Sequence, residues 1–68
     1  MKIVFSSHAV DKMDMYGIDR KEVEAAVTKG MNWKETNTEK WHASMAGIEA
    51  VFLYDEAIFV ITVYPAGD

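Results

Sequence analysis

From Ser7 onward the hydrophobic period of this chain changes once, at Gly30, and that switch leaves few architectures open. From Ser7 to Gly30 the apolar residues recur at helical spacing. Beyond Gly30 they alternate in twos or run on without a break, which is the pattern of strands. Two short helices therefore precede a sheet, and Tyr16-Gly17-Ile18 is the joint between them.

The second helix carries the clearest start signal. Asp19 reads as its N-cap, Glu22 completes a capping box, and Ile18 is placed to pack on Val23 as a hydrophobic staple. Val23, Ala26 and Val27 form its buried stripe, and Lys29-Gly30 close it. The first helix runs from His8 to Tyr16, with Ser6-Ser7 as N-cap candidates and Gly17 as the left-handed residue beyond its end. Its stripe is Ala9, Met13 and Tyr16, widened by Val10. Met1 to Phe5 suits a short first strand.

After Gly30, Asn32 to Thr36 is a candidate strand and Asn37-Thr38 a turn. In Glu39 to Met45, Trp41, Ala43 and Met45 face one way and Lys40, His42 and Ser44 the other. Ala46-Gly47 makes the next turn. Ile48 to Tyr54 and Ala57 to Tyr64 form a hairpin around Asp55-Glu56, apolar enough for inner strands covered on at least part of both faces. Pro65 to Asp68 ends the sheet. The expected fold is one α+β domain over residues 1–68, ordered β-α-α-β-β-β-β. Both helices pack on one face of a mostly antiparallel sheet, and the neighbour of the first strand is left open.

So short a chain buries only about 60% of its unfolded surface. With no cysteine, neither disulfides nor thiol chemistry are available, and stability must come from a dense core, a bound metal or self-association. Half of the residues are hydrophobic, which favours the core. No apolar run approaches the ~18 residues of a membrane span, and no signal-peptide pattern is present, so a cytoplasmic location is the expectation. The net charge of −4, with basic residues scattered along the chain, disfavours RNA or DNA as the main ligand.

Few residues carry candidate chemistry. His8 opens the first helix and suits a general base, with Lys12 four residues on to stabilise negative charge. A surface or boundary histidine bonded to nearby backbone is the more common case when no partner motif accompanies it. Lys40, His42 and Ser44 form a row that suits a phosphate or carboxylate, and that is more commonly a solvated strand face. Two histidines with no third ligand give no metal site, and no cofactor motif is present. Among the carboxylates considered, Asp11, Asp14, Glu22 and Asp55-Glu56, no catalytic pair stands out.

The segment Phe5-x-x-His8-Ala9-x-x-Lys12-Met13-x-x-Tyr16-Gly17-Ile18, with Val60-Ile61-Thr62-Val63-Tyr64 near the other end, resembles a small prokaryotic family, domain of unknown function 4258. The resemblance implies a fold like that of RelE/ParE-type toxins, some of which are metal-independent ribonucleases while others act only by binding protein. His8 matches the family histidine. Lys12 stands where arginine is common, and Tyr16 replaces a second arginine. Two functions follow as expectations. The first is a non-catalytic, toxin-like interaction module that binds a protein partner or itself, through a sheet edge or the helical face. The second is a ribonuclease using His8 or His42 as base, with Lys12, Lys40 and Tyr64 stabilising the phosphorane. The acidic charge and the missing arginine favour the first.

Overall fold

Side-chain and glycine caps set the helix ends. In the computed structural model, which describes residues 1–67, α1 spans Ser7–Tyr16 and α2 spans Arg20–Lys29. Asp68, the end of the expected terminal segment, lies outside the described residues. The Ser6 hydroxyl accepts from the Ala9 N–H at 3.0 Å and donates to the Ile61 carbonyl at 2.8 Å. One hydroxyl therefore caps α1 and ties its start to a distant strand. At the other end Gly17 adopts φ 66°, and the N–H groups of Gly17 and Ile18 donate to the carbonyls of Asp14 and Met13. This Schellman closure needs a left-handed residue, which glycine supplies without steric cost. The capping box of α2 forms as expected, with Glu22 accepting from the Asp19 N–H at 3.1 Å.

Five strands follow the expected order: β1 (Ile3–Phe5) before the helices, then β2 (Met31–Lys34), β3 (Lys40–Met45), β4 (Ile48–Tyr54) and β5 (Ile58–Pro65). They form one sheet ordered β1-β5-β4-β3-β2. β1 pairs parallel with β5, and the other three pairings are antiparallel. The α+β class and the element order thus match the sequence reading. β2 starts one residue earlier than expected and ends two earlier.

The core lies between the helices and one sheet face. Ala9, Ile18, Val23, Ala26 and Val27 meet Ala43, Ala50, Phe52, Ile58, Val60 and Val63. Val60 and Val63 both point into it although they are three residues apart. A bulge in β5, where Val51 pairs Thr62 but Phe52 pairs Val60, absorbs the extra residue Ile61. Small side chains let α2 approach closely, and Gly30 is the extreme case: a Cβ there would stand 2.5 Å from the Ser44 carbonyl oxygen and 2.6 Å from that of Ala26.

One expectation about burial fails and another holds only in part. Tyr16 and Val10 are exposed instead of completing the α1 stripe. The helix turns about Ala9 and Met13, and Tyr16 overhangs the joint. The inner strands β4 and β5 are covered on the other face only in part, with Val51 buried there. Both helices lie on the same side, so Leu53 and Phe59 face outward, 37% and 44% exposed.

Gly30→Ala is expected to destabilise by roughly 1–3 kcal/mol, because the atoms it meets are backbone and cannot swing away. Urea unfolding checks this as a lower midpoint at unchanged slope. Ala46 and Gly47 take φ of 55° and 83° in the two-residue β3–β4 turn, a geometry that favours asparagine over alanine at the first position. The same assay should show Ala46→Asn stabilising by about 0.5–1 kcal/mol.

Candidate functional site

Strand register lines up a polar row on the sheet face away from the helices. Trp33 of β2 lies directly opposite His42 of β3, and Glu49 of β4 directly opposite Tyr64 of β5. His42 and Glu49 are diagonal neighbours, because Ser44 pairs with Glu49 and His42 with Val51. Alternation puts all four side chains on one face, since Ala43, Ala50 and Val63 between them are buried against the helices.

The contacts are specific. The Trp33 and His42 rings stack with centroids 5.3 Å apart and planes within 10°. His42 Nδ1 lies 2.9 Å from Glu49 Oε2, and the Tyr64 hydroxyl donates to that same oxygen. An ionised carboxylate only accepts, so Nδ1 carries a proton and the imidazole is held in one orientation. The other nitrogen, Nε2, lies 3.6 Å from Glu35 Oε2. Burial, the hydrogen bond to Glu49, and the charges of Glu49 and Glu35 push the Tyr64 hydroxyl up to about 12. Its neutral, donating form therefore persists far above neutral pH.

This arrangement can orient a base, but it surrounds that base with negative charge. Glu49 positions the ring as a carboxylate does in an acid–base pair. Glu35 then takes the side of Nε2 that an incoming proton donor would need. The two carboxylates address opposite nitrogens of one ring, so they do not converge on a common cation. Among the described residues no group of three such side chains is arranged to hold a metal.

Of the sequence-derived candidates, the fold joins His42 and Tyr64 through Glu49. His8 lies apart: its Nε2 is 3.1 Å from the Thr62 hydroxyl, beside β5. Thr62 pairs with Val51, which pairs with His42. The two histidines thus share a row but stand at least two strand spacings apart, roughly 10 Å. Lys12 extends towards Tyr16, with its amine 5.8 Å from the ring centroid, which separates it from the His8 chemistry proposed for it. Lys40 is exposed on the same face as His42, two residues earlier and opposite Leu53.

Glu49 and Glu35 escaped the sequence reading. Glu49 did leave a signal, as the only charged residue between Ile48 and Tyr54. Glu35 left none, because its reach to His42 depends on the β2–β3 pairing. Comparison with models of known families, with curated proteins and with solved structures gave no match to this chain.

The raised Tyr64 value has a consequence with a definite sign. An unfolded tyrosine ionises near 10, so between about 10 and 12 the unfolded chain holds fewer protons than the folded one. The stabilisation is complete below pH 10 and is lost as pH rises through 12. The tyrosinate absorbance missing from Tyr64→Phe should appear late in the alkaline titration of the wild type. In Glu49→Gln the same step should move to lower pH, because the carboxylate acceptor is gone.

Proposed function

We propose that this chain is a non-catalytic interaction module with a RelE/ParE-like fold, and that it self-associates through the open face of its sheet. The observation that carries this reading is the apolar surface opposite the helices. Val4, Phe59 and Leu53 are aligned across β1, β5 and β4, and Trp33 is 38% exposed on the same face. Contiguous exposed apolar side chains of this size mark contact surfaces. This face differs from the sheet edge and the helical face expected from the sequence.

A second copy fits the charge of the face. Lys40 of β3 ends the apolar row opposite Leu53, with Glu35 beside it after β2 and Glu49 farther along β4, so a two-fold arrangement lets the lysine of one copy meet an acid of the other. A standard interface takes roughly 800 Å² from each partner, less than a fifth of the 4442 Å² surface of this chain. One five-stranded face is enough for that.

The ribonuclease reading has one observation in its favour, the imidazole of His42 oriented by Glu49 and flanked by Tyr64. Three others oppose it: the net charge of −4, Glu35 beside Nε2, and Lys12 drawn away over Tyr16. A phosphate at His42 would face the charges of Glu35 and Glu49 against one exposed lysine of the same strand face, Lys40.

Purified protein incubated with RNA, with and without EDTA, should leave the RNA intact. Cleavage that vanishes in a His8→Ala, His42→Ala double variant would establish the ribonuclease instead. Light scattering after size exclusion should give a dimer at micromolar concentration, with Phe59→Glu shifting the equilibrium at least tenfold towards monomer. A wild type that stays monomeric at about 1 mM, a concentration at which even weak specific contacts form, rules out self-association.

A further inference from the structure

A second surface has a different character. A groove of about 490 Å³ runs along the outer edge of β1 and is lined by Ile3, Val4 and Phe5 of that strand with Lys2, Val10, Met13 and Arg20. Its walls are apolar and its lining charges are both positive, in a chain whose net charge is −4. The Arg20 guanidinium lies over the Phe5 ring, 5.0 Å from the centroid, and 3.4 Å from Glu24. That ion pair is exposed, and a guanidinium has donors left for a second carboxylate.

The backbone of β1 adds an unsatisfied pattern. The Ile58 N–H donates to the Lys2 carbonyl at 2.9 Å, and the Ser6 N–H donates to the Val60 carbonyl at 3.0 Å. Lys2 and Ser6 therefore turn their peptide groups towards β5, and by alternation Ile3 and Phe5 turn theirs outward. Among the described residues β1 has no strand on that side. The apolar groove and the free peptide groups border the same three residues.

We propose that this edge is a docking site for an extended peptide segment of a partner protein, apolar and acidic residues alternating, added as a sixth strand beside β1. Main-chain hydrogen bonds to Ile3 and Phe5 supply the pairing. One face of the added strand rests on Phe5, Val10 and Met13, and its carboxylates meet Lys2 and Arg20. Charge decides against a copy of this chain as the occupant. Pairing β1 with β1 sets Lys2 and Arg20 against the same cations, and the other edge, β2 (Met31–Lys34), carries no carboxylate of its own to meet them. The shortness of β1 and the lysine beside it also discourage indiscriminate edge pairing. Val4 borders both this groove and the open face, and the two proposals are told apart by whether a bound peptide shifts Ile3 and Phe5 or Leu53 and Phe59.

The test is an NMR titration of the isotope-labelled protein with a blocked octapeptide alternating valine and glutamate. Saturable shifts should centre on the amides of Ile3 and Phe5, and those amides should exchange more slowly with solvent. A Lys2→Glu, Arg20→Glu double variant should bind at least tenfold more weakly, as should the peptide with lysine in place of glutamate. N-methylation of alternate peptide nitrogens should also abolish binding, while leaving the protein untouched. Shifts centred on Phe59 and Leu53, equal binding of the two peptides, or no shift at about 2 mM peptide would each overturn the proposal.

Discussion

The structure follows from a shortage of covering elements. Five strands present two faces, and the chain supplies two helices of ten residues each, both packed on the same face. That side becomes the core, and its residues are small enough to let the helices lie close: Ala26, Ala43 and Ala50 are fully buried, and Gly30 admits no side chain at all. The other side has nothing to cover it among the described residues. Apart from Val51, which its neighbours bury, its hydrophobic residues meet solvent or another molecule, and its polar residues must satisfy one another.

The polar row responds to that exposure. Glu49 is half-buried in an otherwise apolar strand, and such a carboxylate is tolerable only when donors surround it. His42 Nδ1 and the Tyr64 hydroxyl supply them from the strands on either side, and Trp33 covers the outer ring face of His42. The network stitches β2 to β5 across the open face, where side-chain packing from a second layer is missing. It shares components with an acid–base site, but its charge balance is that of a structural cluster: two carboxylates address one imidazole.

The two exposed apolar surfaces also differ in kind. The open face carries both signs of charge around its apolar centre, which suits a self-complementary contact. The β1 groove carries cations on a mostly acidic molecule and has free peptide groups along its edge, which suits a foreign acidic strand. A small domain without disulfides gains stability from either association.

The sequence alone determined what local physics controls. The capping box at Asp19 and Glu22, the glycine at the helix joint, the change of period at Gly30 and the turn at Ala46-Gly47 each leave a mark a few residues long, and each appears where it was expected. His42 and Tyr64 were legible as polar or amphipathic positions on strands. Only the tertiary structure decided what joined them. Glu49 reaches His42 because Ser44, not His42, is its partner in the ladder, and a register one residue different would turn it into the core. The bulge at Ile61 kept Val60 and Val63 on the buried side and opened a carbonyl to Ser6, residues 55 apart in sequence. The parallel pairing of β1 with β5 created both the free edge and the groove beside it. Caps and turns are contracts between near neighbours, so a sequence states them outright. Register, bulges and edges are settled by all the strands at once.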